Sequence, residues 1–131
     1  MGNINVRLLT TNEHITIDRP NSSVNNLIFG DMYIEHHGKM LVTNYLTKDY
    51  AEIELLKKGW SGKNAFVLEG YAYSPNKEKK FKMWGKWTEA MYIKNLATGE
   101  EETIWEANPM PPESNRMYNF TYFTLQLNHL P

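Results

Sequence analysis

Ala65-Phe66-Val67-Leu68-Glu69-Gly70-Tyr71-Ala72-Tyr73, the turn Ser74-Pro75-Asn76-Lys77, then Lys80-Phe81-Lys82-Met83-Trp84-Gly85-Lys86-Trp87 and Ala90-Met91-Tyr92-Ile93 decide the fold. Aromatic and β-branched residues dominate, and a Ser-Pro-Asn turn separates the first two runs, which reads as an antiparallel hairpin. The third run follows almost at once and extends the hairpin into a meander.

The same pattern continues toward the N-terminus. In Tyr50–Leu55, Ala51, Ile53 and Leu55 share one face, and Met40–Tyr45 precedes them across Thr47-Lys48-Asp49. Leu27–Ile34 is apolar on both faces and predicts a buried strand or barrel wall, with Gly30 as a bulge or bend. Ile4, Val6 and Leu8, and then Ile15 and Ile17, alternate with polar neighbours as two short strands around the turn Thr10–Glu13. Asp18–Ser23 reads as a breaker cluster. Toward the C-terminus, the turn Asn95–Glu100 leads to Thr103-Ile104-Trp105 and a proline-rich loop, Pro109–Pro112. Ser114 suits a helix cap, but Phe123, Leu125 and Leu127 alternate with polar residues, so Met117–Leu127 is expected to be a strand. No window carries a helical period, and there is no internal repeat. The expectation is one all-β domain over residues 1–131, an antiparallel meander of about nine strands forming part of a β-barrel.

Composition narrows the function. The 131 residues carry 14 basic and 15 acidic side chains, which gives no electrostatic footprint for nucleic acid. The chain has 0 cysteines, so disulfides and thiolate ligands are excluded. No apolar run is long enough to span a membrane, and nothing resembles a signal peptide. Gly2 loosely matches a myristoylation site, but position 6 is Val where that motif wants Ser or Thr. The expected compartment is the cytoplasm, which makes the sequons at Asn21 and Asn119 chance matches.

Few residues point to chemistry. His36 and His37 are adjacent on a predicted strand and face opposite ways, so with Glu35 they make a poor metal site. His14 and His129 are isolated. No serine has a nucleophile context, and there is no phosphate-binding or dinucleotide loop. Lys77, Lys79, Lys80, Lys82 and Lys86 form a basic run diluted by Glu78. It reads either as a solvated hairpin or as a contact for anionic lipid through Lys79, Lys80 and Lys82. Trp84 and Trp87 are expected on opposite faces. Trp60, between two glycines, either packs over the barrel end or inserts at a membrane interface.

Several ordered runs resemble the oxysterol-binding-protein-related family. They are Val24–Gly30, Tyr33–Gly38, Asn44–Asp49, Gly85–Glu89 and Pro111–Thr121, and the match covers about positions 3 to 129. Lys48 departs from the pattern, since many relatives carry Gly in that turn. The resemblance implies a near-complete β-barrel around a hydrophobic tunnel that carries a sterol or phospholipid, exchanged between membranes against phosphatidylinositol 4-phosphate. It implies no enzyme activity and no cofactor. It also makes Val24, Leu27 and Ile34 candidates for the tunnel wall, with plain core packing as the alternative. The family's Glu-Gln-Val-Ser-His-His-Pro-Pro signature lies upstream of the matched region, and a cationic helix lies downstream. This chain is therefore expected to supply barrel wall, working peripherally at membranes. The rival expectation is a β-rich interaction module, a homo-oligomer joined through open strand edges.

Overall fold

The computed structural model describes residues 2–127. Nine strands form a single antiparallel sheet: β1 (Asn3–Leu8), β2 (Glu13–Asp18), β3 (Asn21–Asn25), β4 (Tyr33–Asn44), β5 (Tyr50–Leu55), β6 (Val67–Tyr73), β7 (Lys79–Lys86), β8 (Ala90–Asn95) and β9 (Glu101–Glu106). The order across the sheet is β1-β2-β4-β5-β6-β7-β8-β9, with β3 paired to the first half of β4. Sequential strands joined by short turns explain this order. The long β4 is the exception, because β2 and β3 share it. Continuing the ladder from Ile17↔Val42 would set Asn21 against Gly38, but Asn21 faces His37, a slip of one residue. The slip falls at Arg19-Pro20, where proline has no N–H to give the ladder.

The all-β meander agrees with the sequence, and three local expectations are corrected. Leu27–Met32 is a loop rather than a strand, and β4 begins only at Tyr33. Asn26 and Gly30 adopt φ of 61° and 83°, which no extended ladder accommodates, and the Asn26 amide donates to the Asp31 carbonyl at 3.1 Å. Asn21-Ser22-Ser23, read as part of a breaker, belongs to β3. Its backbone pairs with β4, and Ser22 Oγ lies 2.8 Å from His36 Nδ1. Met117–Leu127 is not a strand. Tyr118 and Asn119 both turn left-handed at φ 54° and 56°, and a short helix, α1, covers Tyr122–Gln126. Thr121 caps it by accepting from the Thr124 N–H, so a local side-chain bond outweighs the alternating pattern.

Paired residues share a face, so the register divides the sheet into two. One face is apolar: Ile4, Ile17 and Val42; Met40, Ile53, Gly70, Met83 and Ile93; Leu55, Leu68, Gly85 and Met91. The other carries Tyr50 and Tyr73, then Glu52, Tyr71, Lys82, Lys94 and Glu101, then Glu69, Trp84 and Tyr92.

The apolar face is also the one the sheet folds over. A Cβ on Gly70 would sit 2.3 Å from the Glu52 carbonyl oxygen and 2.8 Å from the Ile53 Cα. A Cβ on Gly85 would meet the Ala90 carbonyl oxygen at 2.2 Å. Neighbouring backbone thus occupies the space these side chains would need, as at the bends of a closing barrel. The closure is incomplete: among the described residues β1 pairs only with β2, and β9 only with β8.

Candidate functional site

Among the described residues the apolar face lacks a covering layer. A compact protein of 15.3 kDa exposes about 7,100 Å², whereas this chain exposes 10440 Å². Leu55, at 8% exposure, is the one buried hydrophobic side chain among the described residues. A sheet face of aliphatic and methionine side chains is stable only against a second apolar layer, and no described element supplies one. An apolar occupant fits it.

At one end of the face lies a recess of about 180 Å³, lined by Ile34, His36, Leu56, Phe66 and Trp87 among others. Phe66 and Trp87 meet edge to face, 5.1 Å between centroids at 83°, and His36 tilts against Trp87 at 6.4 Å. The recess alone is smaller than the roughly 300–1,000 Å³ of a small-molecule site. It is one part of a longer wall.

The charged face carries several paired groups. Lys94 and Glu101 pair at 2.8 Å across β8 and β9. Lys79 lies 3.9 Å over the Tyr71 ring and Lys82 lies 5.7 Å over Trp84. Trp84 stacks on Tyr92, and Tyr50 on Tyr73 at 4.8 Å with the rings 5° from parallel. The Tyr73 hydroxyl faces the Glu52 carboxylate at 3.5 Å. Desolvation first, then the Glu52 charge, pushes the Tyr73 phenol above its ordinary 10.0.

The structure brings Val24 and Ile34 together as direct partners in the β3–β4 ladder. Ile34 lines the recess, while Leu27 stands apart in the loop after β3, 72% exposed. Of the lysines singled out, Lys80 is held by Glu78 at 2.7 Å, and its hydrogen bond and charge keep the Glu78 carboxyl below its ordinary value. His36 and His37 lie on one strand and face opposite ways. The Glu35 carboxylate is engaged by the Lys58 backbone N–H. Among the described residues no three histidine, cysteine or carboxylate groups converge as metal ligands. Trp84 and Trp87 separate as expected. Trp60 does not pack over the sheet end, being 107% exposed. His129 lies outside the described residues.

Sequence reasoning missed the apolar stripe through Met83, Ile93 and Leu68. The signal was the alternation it recognised at Ala51, Ile53 and Leu55, repeated on the neighbouring strands.

An open antiparallel sheet, concave and apolar on one face, defines part of a barrel wall. Residues 1–131 match the oxysterol-binding protein family, and the chain belongs to that family. It is 29% identical to human oxysterol-binding protein-related protein 1 over 98% of this chain and 18% of that one. It is 31% identical to human oxysterol-binding protein-related protein 7 over 99% of this chain and 15% of that one. The chain thus spans under a fifth of these relatives, and 37% of mouse oxysterol-binding protein-related protein 2. Among solved structures it resembles the Osh3 ORD from Saccharomyces cerevisiae in complex with PI(4)P. That match has a TM-score of 0.79 at 28% identity, over 97% of this chain and 33% of that one. The Osh1 ORD domain in complex with cholesterol matches with a TM-score of 0.75 at 22% identity, over 91% and 31%, a likeness of fold alone. No helix among the described residues is long and apolar enough to cross a membrane.

Proposed function

We propose that this chain forms part of the wall of a lipid-carrying barrel that binds a sterol or phospholipid and transfers it between membranes. The observation that carries this reading is the apolar face, continuous from β1 to β8 and uncovered. An acyl chain or sterol ring system is the complementary surface, and its burial contributes about 25 cal/mol per Å² with no catalytic group needed. The Osh3 ORD with PI(4)P bound supports a phospholipid ligand, and membership of the oxysterol-binding protein family supports a sterol. Val24 and Ile34 belong to this wall at its recess end, and Leu27 at its rim.

The test is a graft. The 131 residues replace the matched segment of mouse oxysterol-binding protein-related protein 2, and extraction of a fluorescent sterol and of phosphatidylinositol 4-phosphate from liposomes is measured. The grafted protein should extract at least one of them. A folded graft that extracts neither lipid contradicts the reading.

The free edges of β1 and β9 favour a second reading, an interaction module that pairs edge to edge with another chain or a second copy. A concentration-dependent mass in sedimentation, abolished by proline in β1, would favour it.

A further inference from the structure

Three hydroxyl side chains follow an arginine or lysine by three positions: Thr10 after Arg7, Ser22 after Arg19 and Ser61 after Lys58. That spacing is a charge pattern by which basic-directed protein kinases take their substrates. The cleft holds the substrate backbone extended and presents carboxylates to the side chains before the acceptor.

The structure separates the three. Arg7 lies within β1, opposite His14 of β2, and its guanidinium donates to the Asn12 side chain at 3.0 Å. Ser22 lies within β3, opposite His36 of β4, and its hydroxyl meets the His36 ring at 2.8 Å. Neither segment can thread a kinase cleft without giving up those bonds. Ser61 is placed differently. β5 ends at Leu55, and the Leu56 N–H closes that ladder on the Val67 carbonyl at 3.0 Å. Lys57, Lys58, Gly59, Trp60 and Ser61 then stand exposed outside any strand. Their turn rests on a long bond, from the Gly62 N–H to the Gly59 carbonyl at 3.4 Å. The Ser61 hydroxyl accepts another long one, from the Lys63 N–H at 3.4 Å. Lys57 adds a second ammonium one residue before Lys58, a doubling that neither Thr10 nor Ser22 has.

We infer that Ser61 is a phosphorylation site for a basic-directed protein kinase, recognised through Lys57 and Lys58. In the transfer, the bond from Ser61 Oγ to the γ-phosphorus of ATP forms and the bond from that phosphorus to its bridging oxygen breaks. ADP leaves, and the catalytic aspartate of the kinase takes the hydroxyl proton. The product carries about two negative charges at neutral pH, and it stands beside cations. A Cβ on Gly62 would lie 3.7 Å from the Lys58 Cε, so the Lys58 side chain runs next to the neighbour of Ser61. Its ammonium lies 4.5 Å over the Tyr33 ring, and both residues line the recess beside Ile34 and His36. A phosphate is a stronger partner for an exposed ammonium than a ring face, so phosphorylation draws Lys58 off Tyr33.

The experiment incubates the full chain with the catalytic subunit of cAMP-dependent protein kinase and MgATP, and locates phosphate by mass spectrometry. Ser61 should be labelled, and Ser61→Ala should abolish that labelling. Lys57→Ala/Lys58→Ala should lower kcat/KM for the kinase by about tenfold or more, while Lys79→Ala/Lys80→Ala stays within about twofold of wild type. Lys57→Arg/Lys58→Arg should keep the wild-type rate, which separates lost charge from a disturbed loop. In the phosphorylated chain, the Lys58 side-chain protons should lose the upfield ring-current shift that Tyr33 gives them. The inference is overturned if the folded chain takes phosphate at Thr10 or Ser22 rather than Ser61, or takes none. It is equally overturned if the alanine pair is phosphorylated as fast as wild type. The release of Lys58 is overturned if its protons stay shielded.

Discussion

The two faces of the sheet are built from the same strands but differ in what they still require. On the charged face, Lys79 covers Tyr71, Trp84 lies on Tyr92 and Lys94 meets Glu101, so most polar groups have a partner and water completes the rest. On the apolar face, Ile53, Met83 and Ile93 stand in register with no described element above them. The first face is finished by its own side chains and the second only by an apolar partner. The proposed lipid-bearing face is thus marked by an absence of packing, not by a cluster of reactive groups.

The comparison breaks most severely at the bends. Gly70→Ala should destabilise the chain by about 3 kcal/mol or more, because its Cβ would enter backbone of β5. Denaturant unfolding measures this, and a change below about 1 kcal/mol would mean that the sheet is not folded over Gly70. Next come paired substitutions on the two faces. Met83→Asp/Ile93→Asp in the grafted protein should cut lipid extraction by about tenfold or more, since a carboxylate desolvates poorly against lipid. Lys82→Ala, on the other face, should shift stability by no more than about 0.5 kcal/mol and leave extraction unchanged.

Two smaller effects sharpen the charged face by pH. The Tyr73 phenol is raised above 10.0, so the folded state favours its protonated form. That contribution is complete below the unfolded value and lost as pH rises through the raised one. Unfolding followed from about pH 9 to about pH 11 should show a loss that Tyr73→Phe lacks. Glu52→Gln should reduce the shift without abolishing it, because desolvation is the larger cause. The smallest effect is at Glu78, whose carboxyl is lowered below 4.5 by Lys80. Its NMR titration should fall below the ordinary glutamate range, and Lys80→Ala should return it there.

The period-two pattern made the central strands legible, and it placed Ala51, Ile53 and Leu55 on one face. It failed where a local bond or backbone constraint overrides hydrophobic content. Leu27–Met32 is as apolar as any strand, yet left-handed Asn26 and Gly30 make it a loop, and the Thr121 cap turns an alternating tail into a helix. The three candidate wall residues separate in the structure. Val24 and Ile34 fall together because they are register partners, whereas Leu27 lies beyond the last paired residue of β3. The turn at Lys48 adopts φ of 66°, a conformation that glycine takes without strain.

The most direct test of the account is photo-crosslinking of the grafted protein loaded from liposomes with a photoactivatable sterol or phosphatidylinositol 4-phosphate, with labelled residues located by mass spectrometry. Label on Ile53, Met83 and Ile93 is the predicted result. Label on Tyr71, Lys82 and Tyr92, across the sheet, would contradict the assignment of the apolar face as the lipid-bearing wall.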